Sequence, residues 1–269
     1  MKVFSIFLVV LFVVFARSGA FAQDSLAFFP DRRIVSDLPA DGSAHRFAAS
    51  RVFDDGEAEV KVGGVVPVLE ALLMNKLVQG SIGASIQARL DPGTSIAVRS
   101  VEFTVDFLLV DVQWSSGLMT RFGIGHASHH LGDEPPDSTG TSAIDYSRDY
   151  VSAFILGAIP RLGGLVYAGA NYAYGYVVRR PIQKPLVLQA GFLASLPLLD
   201  PLAVYCAGDI KVRQELSYGT TQRYEAGWRY GKGPRSVRLG IWHTAGFDER
   251  GQLFGKARNE WGVGIFLNI

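Results

Sequence analysis

The chain is 269 residues long and carries 26 basic against 25 acidic residues, a net charge near +1 that gives no field for nucleic acid or a strongly anionic partner. Its one cysteine, Cys206, excludes an internal disulfide, so stability must come from burial and backbone pairing. Hydrophobic residues make up 48% and glycine is abundant, with 30 copies, yet no apolar run beyond the first residues is long enough to cross a bilayer as a helix.

The first residues, MKVFSIFLVVLFVVFARSGAFAQ, place Lys2 before an apolar run from Val3 to Phe15 and an Ala20-Phe21-Ala22 cleavage pattern. With an apolar core of about 13 residues, this predicts a secretory signal peptide over 1–22 rather than an anchor. Residues 23–44 read as a periplasmic lead-in and 45–269 as one domain. From His45 onward, twelve segments alternate or are rich in strand formers: 45–53, 57–68, 79–89, 103–115, 118–130, 146–160, 165–178, 186–196, 203–216, 222–231, 235–246 and 259–269. The least regular stretch is VPVLEALLMNKLVQG, which reads as a short helix or a periplasmic excursion because Pro67 argues against a central strand.

The alternation separates two chemistries. Asp209, Lys211, Arg213 and Glu215 share one face, and Val204, Cys206, Ile210 and Val212 the other. Glu57, Glu59 and Lys61, and then Arg223, Glu225 and Arg229, repeat the charged face. Three features point the greasy face at lipid. Tyr172, Tyr174 and Tyr176 share a parity with Val166 and Ala168, and Trp228, Tyr230 and Trp261 lie at apolar segment ends, as interfacial girdles require. The links WSSGL, PRLGG and GKGPR after even-numbered segments are short turns, whereas the long polar links follow the fifth and eleventh segments. The chain also ends inside an alternating strand that can close on the first. The expected fold is an all-β transmembrane antiparallel barrel of about 12 strands in a bacterial outer membrane. Its mixed-sign interior charges, with Arg238 among them, predict a paired and plugged lumen rather than a selective pore.

The stretch FGIGHASHHLGDE concentrates the chemistry. Strand parity sends Phe122, Ile124, His126, Ser128 and His130 outward, and Arg121, Gly123, Gly125, Ala127 and His129 inward. His126 and Ser128 are then side by side near the extracellular end, about 6.5 to 7 Å apart at the backbone, a span their side chains can bridge. Of the acids on the next segment, Asp145 and Asp149, Asp149 lies nearer the membrane and is the expected orienting acid. The plainer alternative is an interfacial histidine bonded to Tyr146 or a headgroup. A metal box from His129, His130, Asp133 and Glu134 is weakened because the two histidines face opposite ways; Asp133 and Glu134 alone are the oxygen ligands open to calcium. His243 reads as an outward interface residue and Cys206 as a small hydrophobe facing lipid.

The outward His126-x-Ser128 pair resembles the arrangement in outer-membrane phospholipase A and in the outer-membrane lipid A deacylase. That resemblance implies His126 as general base, Ser128 as nucleophile and a polar or acidic residue on the next strand. The run His126, Ser128, His130, Leu131, Gly132, Asp133 and Glu134 also resembles the core of a bacterial outer-membrane barrel family of unknown function, a likeness that runs on through QAGF near Gln189. The expected function is a serine-dependent lipid-ester hydrolase acting on phospholipid or lipid A acyl chains, with a non-enzymatic structural or small-solute barrel as the alternative. Outer-membrane lipids are the expected partners, nucleic acid is not, and a homodimer is left open.

Overall fold

The structure, a computed structural model, describes residues 26–36, 38–93, 97–132, 146–178, 185–231, 236–253 and 255–268. The strands are β1 (Leu26–Phe28), β2 (Phe47–Val52), β3 (Ala58–Leu73), β4 (Lys76–Asp91), β5 (Ala97–Gln113), β6 (Leu118–Leu131), β7 (Tyr146–Ile159), β8 (Gly164–Val178), β9 (Leu186–Leu199), β10 (Leu202–Arg213), β11 (Gly219–Tyr230), β12 (Ser236–Phe247) and β13 (Ala257–Asn268). Each of β2 to β13 pairs antiparallel with its chain neighbours, and β13 pairs with β2, so twelve strands close into a barrel. Each of the twelve expected segments falls on one of them. Closure leaves no open edge among backbone groups that lipid could not satisfy.

The stretch 66–80 differs from its sequence reading. It forms neither a helix nor an excursion but the hairpin of β3 and β4, turned at Met74 and Asn75 with φ of 50° and 60°. Left-handed conformation at both central residues is the turn whose twist suits a two-residue hairpin. Pro67 is accommodated by a bulge: it pairs with Ser81 while Leu69 pairs with Gly80, which leaves Val68 as the extra residue. Below this point β2 is absent, and β1 takes its place along β3, matching Leu26, Ala27 and Phe28 with Ala71, Glu70 and Leu69. The short N-terminal strand thus covers an edge that would otherwise be bare.

After β1 the chain turns into the lumen. Val35 and Leu38 pack with Met119, Leu156, Leu165 and Tyr167 as a small apolar layer. Gln79 secures the entry, accepting from the Ile34 amide at 3.1 Å and donating to the Arg32 carbonyl at 2.9 Å. Farther in, His45 links plug to wall, its Nδ1 3.0 Å from Ser85 Oγ and its Nε2 2.8 Å from Asp106 Oδ2, while Tyr150 donates to the same carboxylate at 2.9 Å. The inward charges expected from the sequence meet opposite charges. Arg238 pairs with Glu225, Arg46 lies 3.6 Å from Glu225, and Lys211 reaches Asp41 at 2.8 Å. Among the described residues, the lumen is a charge-paired interior that keeps a cavity of about 200 Å³ lined by Asp41, His45, Asp106, Tyr150 and Lys211.

The link between β12 and β13 also folds inward. Arg213 donates to the carbonyls of Asp248 and Glu249 at 3.1 and 3.2 Å, and Lys211 holds the Glu249 carboxylate at 2.9 Å. Burial by itself raises the Glu249 carboxyl, but Lys211 beside it reverses that and holds it well below the usual carboxylate range. A depressed folded value contributes stability above the ordinary glutamate range, near pH ~4.3, and loses it as pH falls through the folded value. Hydrogen exchange around 248–253 is therefore expected to stay slow down to mildly acidic pH and to rise only below the ordinary glutamate range. Glu249→Gln should show the faster exchange already at neutral pH.

Candidate functional site

On β6 the even-numbered residues face outward: Leu118 and Phe122 are exposed, while Met119, Gly123, Gly125 and His129 are buried. His130 is exposed and meets Phe103 edge-on with ring centres 6.1 Å apart. On β7 the odd residues face outward, with Val151 and Ile155 exposed and Tyr146 and Arg148 buried. The pairing of the two strands sets His126 opposite Asp149 and Ser128 opposite Ser147. Four polar residues thus occupy two alternate rungs of one ladder, set into an otherwise apolar outer wall.

His126 and Asp149 are joined directly. Nδ1 of His126 lies 2.7 Å from Oδ1 of Asp149, with the two side chains 34% and 46% exposed. An ionised carboxylate only accepts, so Nδ1 carries the proton and the lone pair is left on Nε2. That is the nitrogen farther from the histidine backbone, and in the structure it makes no hydrogen bond with Ser128. Tyr146, the other partner considered for His126, faces inward beside His129 and accepts from Arg148 and Arg213, each at 3.3 Å.

The rung of His126 and Asp149 continues to Gly175 on β8, where the strand is irregular. Asp149 pairs with Gly175 and Tyr150 with Ala173, so Tyr174 is an extra residue bulged onto the outer face. The bulge corrects the sequence reading of the three tyrosines. Tyr172 and Tyr174 are exposed as expected, but Tyr176 turns inward, its ring 5.8 Å from the Arg148 guanidinium. Gly175 in turn makes room for the acid: a Cβ there would stand 2.8 Å from Asp149 Oδ2, 3.2 Å from its Cβ and 3.4 Å from its Cγ.

On β8 the same rung lies beside the exposed Tyr174. Elsewhere on the outer wall Tyr224, His243 and Trp261 stand on paired strands, His243 stacked 4.3 Å from Trp261 and 6.5 Å from Tyr224. Aromatic girdles sit at the membrane interface, the depth of lipid ester carbonyls. Asp133, Glu134 and Asp145 lie outside the described residues, as does the expected signal peptide. Among the described residues, no three His, Cys, Asp or Glu side chains gather as a metal would need, and His129 and His130 point to opposite sides of the wall. Sequence reasoning missed Ser147 and Gly175; only the register between β6 and β7, and between β7 and β8, brings them to the pair.

No family model matches the chain, and no curated protein does. Solved structures do. The chain is similar to outer membrane phospholipase A from Escherichia coli, at 14% identity and a TM-score of 0.55, over 83% of this chain and 96% of that one. A second structure of the E. coli enzyme, an active-site mutant, aligns at 13% identity and 0.54 over 94% and 95%. The outer membrane phospholipase dimer of Salmonella typhi, with bound calcium, aligns at 14% identity and 0.53 over 83% and 90%. At such identities the likeness is one of fold, and it makes this chain a twelve-stranded barrel of the bacterial outer membrane.

Proposed function

We propose that the protein is a serine-dependent hydrolase of lipid esters in the outer leaflet, with Ser128 as nucleophile, His126 as general base and Asp149 as orienting acid. The observation that carries this reading is the His126–Asp149 hydrogen bond through Nδ1, on the lipid-facing wall beside Tyr174. The resemblance of the outward His126-x-Ser128 pair to outer-membrane phospholipase A, and the phospholipase-like fold, support it. The acid fixes the histidine tautomer and stabilises the imidazolium formed during attack. Nε2 takes the proton of Ser128 as Oγ bonds to the acyl carbon. The ester C–O bond then breaks, and the imidazolium returns its proton to the departing alkoxide. Water, activated by the same Nε2, releases the fatty acid and restores Ser128.

Asp133 and Glu134 follow β6 within three residues of its end and are the carboxylates proposed for calcium, a hard cation that takes oxygen ligands. No step above depends on it. A homodimer, the state of the Salmonella structure, is part of the same proposal. The paired, mixed-sign lumen charges speak against an ion-selective pore.

Fatty-acid release from phospholipid and lipid A in mixed micelles tests the reading: wild type should release, and Ser128→Ala should not. Release that is absent from the wild type, or unchanged in Ser128→Ala, ends it. Gly175→Ala gives a second, conformational test. The new Cβ forces the Asp149 carboxylate aside, and kcat should fall about 10- to 100-fold with the barrel intact, the effect expected from losing alignment of a catalytic group. Unchanged kcat would remove Asp149 from the mechanism.

A further inference from the structure

An ester attacked by Ser128 develops negative charge on its carbonyl oxygen, and serine hydrolases meet that charge with preorganised hydrogen-bond donors. Backbone N–H groups are the usual supply. Here they are committed: from Met119 to His129, β6 pairs with β5 on one side and β7 on the other. In a closed wall the ladder consumes the amides lying in the plane of the sheet. Among the residues described on these strands, the donors left free to face the ester are outward side chains beside Ser128. On the β5 side the partner of Ser128 is Phe103, which has no donor. On the β7 side it is Ser147. Residues directly opposite in an antiparallel pair hold their Cβ atoms about 4.5–5.5 Å apart, a gap that one carbonyl oxygen can bridge between attacked carbon and donor. Among the described residues, the outward hydroxyl of Tyr174 stands next to Asp149 and a strand farther from the nucleophile.

Resting on the hydrolase reading, we infer that Ser147 is a further catalytic residue, whose hydroxyl donates a hydrogen bond to the oxyanion formed when Ser128 attacks an ester. The arrangement divides the labour between two rungs of one ladder. His126, oriented by Asp149, moves the proton, and Ser128 and Ser147 hold the two ends of the breaking carbonyl π bond. The attacking electron pair comes from Ser128 Oγ, the displaced π pair rests on the carbonyl oxygen, and the Ser147 proton stays with Ser147 throughout.

The test compares Ser147→Thr with Ser147→Val, which share a shape and differ by one hydroxyl. The substrate is a fluorogenic phospholipid ester in mixed micelles, with Ser128→Ala alongside and heat-modifiable gel migration as the measure of folding. Ser147→Val should lower kcat by about 10²- to 10³-fold with KM within twofold, and Ser147→Thr should recover most of the loss, as for removal and return of one oxyanion donor. If Thr and Val behave alike, Ser147 is not that donor. If Ser128→Ala keeps its activity, the hydrolase reading falls first and this inference with it.

Discussion

Ser128→Ala, His126→Ala and the double substitution are expected to lose lipid-ester hydrolysis to the same extent, by about 10³-fold or more in kcat. The nucleophile and its base act as one unit, so removing either removes the step, and their effects do not add. Asp149→Asn should cost less. The amide keeps the shape of the side chain but can present its NH2 to Nδ1, which favours the tautomer that protonates Nε2 and blocks it as a base. These changes lie on the outer face of β6 and β7 and remove none of the lumen ion pairs, so folding yield and gel mobility should match wild type. Equal losses in the three nucleophile and base variants, with a folded barrel, distinguish catalysis from a role in holding the wall. A double variant much worse than either single one would mean that the two residues act independently.

Lys211→Ala is expected to produce the largest loss of stability. Its ammonium lies 2.8 Å from Asp41, 2.9 Å from Glu249 and 2.8 Å from Ser43, joining the plug, the infolded link between β12 and β13 and the wall at one point. Removing it strands two buried carboxylates, and breaking a buried ion pair from one side costs about 3–5 kcal/mol. Urea titration of the barrel refolded in lipid vesicles should show the midpoint fall accordingly. Lys211→Met combined with Asp41→Asn and Glu249→Gln should recover more than half of the loss, because the uncompensated charges go with their partner. Failure of that triple variant to recover would mean that lost packing, not stranded charge, is the cause.

Much of the wall is legible in the sequence because a strand exposed to lipid on one side and a charged lumen on the other must alternate. The face of His126 and Ser128 follows from counting parity along β6 from Phe122, with no knowledge of register. What eludes parity is whatever breaks it. The bulge at Tyr174 shifts the count by one and turns Tyr176 inward. The hairpin at Met74 and Asn75 has left-handed residues without a glycine, and its Leu, Ala and Glu content resembles a helix. The plug of residues 34–36 and 38–46 and the infolded 248–253 have no periodicity of their own; they lie inside because Arg213, Lys211, Ser85 and Asp106 face inward to receive them. Within the site, Asp149 is legible as an outward acid. That it stands opposite His126, and that Ser147 stands opposite Ser128, depends on a pairing register that the intervening link hides.

The central claim is that an activated serine faces lipid at position 128. Labelling the folded protein in detergent with a fluorophosphonate, which forms an Oγ–phosphorus bond as fluoride leaves, and locating the adduct by peptide mass spectrometry, tests it most directly. The account predicts a single adduct on Ser128, lost in Ser128→Ala and in His126→Ala. An adduct on another serine, or a folded wild-type protein that takes no label, would contradict it.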